Sequence, residues 1–574
     1  MRNRHPRRTV VIGTVGVISA VVLAACGSDA PPETSPDQAA SDSEQQCQEL
    51  HSAAEDAPDS GADTFVFAAS SDPATLNPFF ASDGETFRVA RQIFEGLVGT
   101  KPCTADPAPL LATAWEGSED GKSYDFTLQE GVQFQDGTDF NAEAVCSNFE
   151  YWNNQPKGPA QSPDVTYYWI SLFKGFADSD PPSIYDSCEA SSDTEVTINL
   201  TQPFAGFVPA MSLPAFAMQS PTALDKYGQV AKGEDPTSSE YGLGHPTGTG
   251  PYMLDSWDRG KQVNLKAFDG YWGEKAKTPN VVIPTIEDPG AKRDALSNGE
   301  IDGYDLVAPG DIATLDGDGM QIVNRPAFNI LYLGMNQAVA PLDDLKVRQA
   351  IAYAIDKDAV VAQTLPPGSE IAKEFVPPII NGYTEDVTEY EYSPDKAKAL
   401  LKEAGAEDLT LTFNYPVDVS RPYMPSPEDT FNVIRTQLED VGITVKPVAD
   451  QWTPDYLDKI QSEKTTQEHG IHLLGWTGDY NDTDNFLGVF FGAKTPEWGF
   501  DNQQLFDELS AARQMATIEE QKPAYEKINQ EVMDYLPGVP IAHPVPSLAF
   551  APEVKGFWPS PVQDEVFSTV VVTE

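Results

Sequence analysis

The stretch GWTGDYNDTDNF, residues 475–486, sets three aspartates, two asparagines and a tryptophan directly after the apolar run 471–474. That run reads as a buried strand, so the acids fall at its end, close to a core. A buried unpaired charge is costly, so they need a partner. It could be a metal ion, a proton in a catalytic reaction or a positively charged ligand. Asp479, Asn481 and Thr483 alternate as in a calcium loop, but Asp484 stands where such a loop needs glycine and Phe490 where it needs glutamate. Calcium is therefore not expected. Two carboxylates poised for glycoside hydrolysis are compatible with the spacing, with nothing else to support them. No GxSxG elbow occurs. GSEDGKS (117–123) has three residues between its glycines, where a phosphate-binding loop has four. His469 and His472 are spaced HxxH within a strand-like segment, which does not stack two imidazoles for zinc. Neither a metal nor a cofactor is expected, and no enzymatic activity.

The elements that must position these residues are mixed. TFVFAAS (64–70) reads as a strand. YDFTLQEGVQF (124–134) alternates as another, with a turn or bulge at Gly131, and follows a hairpin signal at Asp120-Gly121. SPDKAKALLKEAG (393–405) is a helix with Ser393 as N-cap, Pro394 at N1 and Gly405 as the stop. Residues 431–448 read as helix, then Gly442, then strand. The class is α/β or α+β.

The 574 residues are 40% hydrophobic, enough for two to four domains, and carry a formal net charge of −51. That charge argues against nucleic acid and against anionic membrane surfaces. It gives a strongly solvated exterior, and its field attracts cationic ligands. The N-terminus, MRNRHPRR followed by an apolar stretch over 9–25, is read as an export signal. Leu23-Ala24-Ala25-Cys26 resembles the bacterial lipobox, which implies a lipidated Cys26 and attachment to a membrane from outside the cytoplasm. Residues 26–62, rich in Ser, Pro, Asp and Ala, are expected to form a flexible spacer. Cys47, Cys103, Cys146 and Cys188 remain, an even number in an exported chain. Of the three possible connectivities, pairing of neighbours is expected: Cys47 with Cys103 and Cys146 with Cys188.

Four longer segments carry a resemblance. SSDPATLNPFFASDGETFRVARQIFEGLVG (70–99) is the first, and LATAWEGSEDGKSYDFTLQEGVQFQDGTDFNAEAVCSNFEYW (111–152) the second. PTGTGPYMLDSWDRGKQVNLKAFDGYWG (246–273) and YLGMNQAVAPLDDLKVRQAIAYAIDKDAVV (332–361) come next, in order. Together they resemble the family 5 extracellular solute-binding proteins, the peptide-, dipeptide- and nickel-binding receptors of ABC importers. KAFDGYWG (266–273), SRPYMP (420–425) and GWTGDYNDTDNF are most similar to the dipeptide-binding branch. The resemblance implies an α/β fold of two lobes joined by a hinge, with an extra subdomain in the N-terminal lobe. The expected division is signal 1–25, spacer 26–62, first lobe 63–96 and 206–325, extra subdomain 97–205, second lobe 326–535, and a return to the first lobe over 536–574.

The resemblance also implies site roles. Asp479 would bind a peptide α-ammonium, with Trp476 lining the pocket and Thr477 nearby. Arg421, followed by Tyr423, would bind the ligand carboxylate. Gly84 to Thr86 would touch the peptide backbone. Asn481, Asp482 and Asp484 would shape the turn and cap the segment after it. The sequence departs from the branch at Thr483, where proline is usual, and at Met424, where a polar residue is common. The implied protein is a monomeric receptor delivering short peptides to an ABC permease. The alternatives are a family 5 receptor for a non-peptide solute (metal chelate, haem, glutathione, oligosaccharide), a sensor or chaperone-like binding module, and a secreted hydrolase.

Overall fold

The computed structural model describes residues 36–58 and 61–573. The expected export signal and the expected lipidation site, Cys26, lie outside the described residues. Among the described residues, no helix is long and apolar enough to cross a membrane.

Two large sheets organise the chain. The first runs in the order Gln321–Asn324, Ser547–Phe550, Gly303–Asp305, Thr64–Ala68, Asn280–Pro284, Gln262–Ala267, Tyr252–Asp258. Thr64–Ala68 is central because its Phe65 and Phe67 are apolar enough to be sealed completely, and it pairs in parallel with both neighbours. The second sheet runs Glu370–Ile371, Gly538–His543, Asn329–Met335, Ile471–Thr477, Thr410–Val417, Thr444–Gln451. Its central strand NILYLGM is buried at every position, as an unbroken apolar run requires. A third, four-stranded antiparallel sheet comprises Ala112–Gly117, Ser123–Leu128, Glu195–Leu200 and Tyr185–Ala190. It shares one hydrophobic core with the first sheet, so it is an appendage of the first lobe. The Cys146–Cys188 disulfide staples its helix Ala142–Asn153 to its edge strand. This is the expected α/β fold of two lobes with an extra subdomain.

The chain crosses between the lobes twice, over 325–328 and 544–546. The crossings are tied together: the Arg325 N–H donates to Pro546 O at 2.9 Å and the Asn329 side-chain amide donates to Pro544 O at 3.2 Å. A buried ion network roots the first crossing in the first lobe. Arg325 Nη1 meets Asp305 at 2.6 Å and Arg325 Nε meets Glu565 at 2.6 Å, while Arg88 meets Asp305 and Glu85, each at 2.7 Å. Burial opposes ionisation of Asp305, but the two guanidiniums outweigh it and hold its carboxyl below the usual range.

Two expectations are corrected. The return to the first lobe does not begin at 536. Gly538–His543 is wholly buried and pairs with Asn329–Met335 inside the second sheet, so the chain leaves that lobe only after His543. The spacer is not flexible throughout: Pro36–Glu55 is a helix. Its Ala, Gln and Glu favour helix and its only proline stands at the first position. What the stretch lacks in apolar surface it gains from Cys47, which is fully buried and bonded to Cys103. Gln46 Oε1 also accepts the Asn324 N–H at 3.2 Å, and His51 lies edge-on to Trp558. Elsewhere the local signals hold. Gly121 and Gly131 take positive φ at the hairpin and the turn, and Pro394–Glu403 is a helix followed by Gly405 at φ +66°. Ser393 occupies the N-cap position, but its side chain makes no capping bond.

Candidate functional site

A cleft of about 1750 Å³ lies between the lobes. Its second-lobe wall is built around the strand Ile471–Thr477. The strand ends at Gly478, whose N–H donates to Phe328 O in the first crossing at 2.9 Å. A β-carbon there would fall 2.3 Å from the Phe328 ring, so only glycine lets the strand end dock on the hinge.

Asp479 comes next and turns into the cleft. Its Oδ1 accepts the Tyr168 hydroxyl at 2.8 Å, and its Oδ2 accepts Asn485 Nδ2 at 3.2 Å. Its own N–H donates to Asn485 Oδ1 at 2.7 Å, which fixes the backbone as well. Tyr168 stands on the helix Tyr167–Phe173 of the first-lobe subdomain, so the carboxylate is held from both lobes. Among the described residues it has no ion pair. Burial pushes its carboxyl up to about 6, against the two hydrogen bonds and the more distant Arg91, which lower it. This is a preformed anionic site with neutral donors around it.

Trp476, Thr477, Arg421, Tyr423 and Gly84 all line the same cleft. Trp476 contributes a buried indole Nε1 without a protein partner. Arg421 belongs to a tight turn in which its N–H donates to Met424 O and the Met424 N–H donates back. Met424 is fully buried, which explains an apolar residue at that position. The Arg421 guanidinium lies 4.2 Å from the centre of the Trp452 ring, and its Nε is buried without a protein partner. Among the described residues it too has no ion pair, so its fork is open to an anion.

Thr86 is not brought to the cleft. It is fully buried; its hydroxyl accepts the Ala74 N–H at 3.0 Å and its N–H donates to the Asp83 carboxylate at 2.8 Å. Asp83 caps the helix Gly84–Ile93, and that capping turns Thr86 inward while Gly84 stays at the rim. Among the other acids of the loop, Asp482 caps a single 3-10 turn, and Asp484 is ion-paired to Arg513. Asn481 Nδ2 donates to Asp106 of the first lobe at 2.9 Å.

Sequence reasoning missed Tyr168, Asn485, Arg91 and Trp452. Asn485 lies within the loop and could have been found as an Asx partner of a nearby backbone N–H. Tyr168 is 311 residues away from its partner and carried no local signal.

The model of the bacterial extracellular solute-binding proteins, family 5 Middle, matches residues 106–497. The dipeptide-binding protein of Escherichia coli K12 is 32% identical over 529 residues, covering 89% of this chain and 95% of that protein. Heme-binding protein A of Haemophilus influenzae is 28% identical, covering 90% of this chain and 94% of that one. Among solved structures, a periplasmic binding protein of Helicobacter pylori in complex with the peptide STSA superposes with a TM-score of 0.73. It is 25% identical and covers 90% of this chain and 99% of that one.

Proposed function

This chain belongs to the bacterial extracellular solute-binding proteins of family 5, and from that premise we propose that it closes two lobes around a short peptide and hands it to an ABC permease. The observation that carries the peptide is the pair of unmatched charges in one cleft. Asp479 is a half-buried carboxylate served only by neutral donors, and Arg421 is a stacked guanidinium without an ion-pair partner among the described residues. A zwitterion supplies both missing partners, one at each end. Neither a haem nor a sugar offers a cation to Asp479. Side chains differ among peptides, so the charged ends are the features a receptor can hold in common.

The same reading makes the protein a binder without covalent chemistry. It works outside the cytoplasm, held to the membrane through a lipidated Cys26, and acts as a monomer. The permease and its ATPase are separate proteins, and hinge closure over the ligand is the form the permease recognises.

Isothermal calorimetry with free, N-acetylated and C-amidated dipeptides tests the ends. N-acetylation should cost as much as Asp479→Ala, about 3–5 kcal/mol for an orphaned buried charge, or roughly two to three and a half decades in Kd. Amidation should match Arg421→Ala. Unchanged affinity for the acetylated peptide sinks the ammonium assignment.

A further inference from the structure

One part of the cleft is not used by the two charged ends. The strands Thr410–Val417 and Ile471–Thr477 pair only at Phe413 with Ile471 and at Asn414 with His472, then part. Tyr456 bridges the parting, its hydroxyl donating to a strand carbonyl there. Beside it the cleft extends into the second lobe as a chamber. Tyr332, Trp476, Phe490 and Trp498 are its walls, and all four line the cleft. They pack against one another: Tyr332 lies 5.1 Å from Trp498 and 5.4 Å from Phe490, and Phe490 lies 6.3 Å from Trp476 between ring centres. Gln461, Thr495 and Glu497 are polar groups that line the cleft as well.

Glu497 is almost wholly buried yet faces the cavity. Its Oε1 accepts the Tyr332 hydroxyl at 2.7 Å and contacts His472 Nε2 at 3.3 Å; its Oε2 accepts Gln461 Nε2 at 3.4 Å. The His472 Nδ1 is buried with no protein partner. The three contacts leave the carboxylate at least one free lone pair. Two further groups at the chamber, Thr495 Oγ1 and Trp476 Nε1, are also buried without protein partners. An aromatic wall with a carboxylate beside it that keeps a free lone pair suits a long apolar stem carrying a terminal cation.

We propose that this chamber receives a side chain of the bound peptide and that Glu497 makes the receptor prefer one ending in a cation, lysine or arginine. The proposal rests on the peptide reading above, and Glu497 acts as a specificity residue that touches the ligand side chain.

The test is a calorimetric panel on the parent protein. It uses dipeptides of alanine with lysine, arginine, norleucine or glutamate, each placed at the first and at the second position. At one position, lysine or arginine should bind roughly ten- to a hundredfold tighter than norleucine, which has a similar stem without the charge. Glutamate there should be the weakest. Glu497→Gln should erase the gap between lysine and norleucine. If norleucine equals lysine at both positions, the chamber does not read charge and the proposal falls while the peptide reading stands. The proposal falls in the same way if Glu497→Gln binds lysine peptides as the parent does. If no dipeptide binds at all, the peptide reading falls and takes this proposal with it. The panel on the parent decides even if the variant fails to fold.

Discussion

Asp479 is the residue on which the pH behaviour of the site turns. Burial raises its carboxyl to about 6 in the empty cleft, so ionising it there is unfavourable. Linkage sets the sign. The folded, empty protein holds this proton through a window where the unfolded chain has released it, so this group's contribution to stability falls as pH rises through about 4 to 6. A ligand ammonium reverses the preference. It binds the ionised form, so it pulls the carboxyl down and expels the proton. A dipeptide should therefore lose about tenfold in affinity per pH unit below 6, because its own amino group stays charged there. Calorimetry near pH 5.5 in two buffers of different ionisation enthalpy should show proton release on binding. Asp479→Asn should abolish that release and flatten the profile. A parent profile flat between pH 5 and 7 removes Asp479 from the ligand. That the acids closing an apolar strand need partners was legible in the sequence; only the family resemblance singled out Asp479 among them. Its hydroxyl donor was not legible, because Tyr168 reaches it only through the packing of two lobes.

At the scale of elements, the ion network decides how firmly the hinge is rooted. Arg325 sits in the first crossing and holds Asp305 and Glu565 together, with all three side chains almost sealed from solvent. Arg325→Ala would strip the buried Glu565 of its ion-pair partner and leave the buried Asp305 with Arg88 alone, a loss of about 3–5 kcal/mol. Urea unfolding at pH 7 should show it. The deficit should shrink as pH falls through the range in which the orphaned carboxyls take up protons, since their ionisation is what the arginine compensates. A loss under 1 kcal/mol at neutral pH would mean that the network is worth no more than a surface pair. The helix Pro394–Glu403 and the strand after Gly442 were readable because Pro and Gly punctuate them. The helix Pro36–Glu55 was not. Its composition resembles a solvated linker, and its order comes from partners hundreds of residues away, at Asn324 and Trp558.

Across the whole molecule, the two-lobed plan was readable from long segments in order, while its seam was not. A buried strand such as GVPIAH carries no mark of which sheet will take it; only its pairing with Asn329–Met335 does. The Cys47–Cys103 bridge is the other long-range feature, closing a loop of 56 residues. In the chain-entropy model such a loop contributes about 4 kcal/mol. Replacing both cysteines by serine should lower Tm and raise hydrogen exchange over 36–55, with ligand affinity unchanged because the cleft is not touched. If exchange over the helix stays as slow as in the parent, packing alone holds it and the bridge is redundant.

That bridge also defines a mechanical path. Cys103 lies in the first-lobe loop that precedes the strand Pro107–Pro109, and Cys47 additionally rests on Pro559 of the C-terminal return. A pull transmitted along the chain from residues before the helix passes at Cys47 into the first lobe by a covalent bond, bypassing both crossings. The helix itself rests on both sheets, on Gln321–Asn324 of the first and on Glu370–Ile371 of the second, so it braces the outside of the seam that the two crossings span.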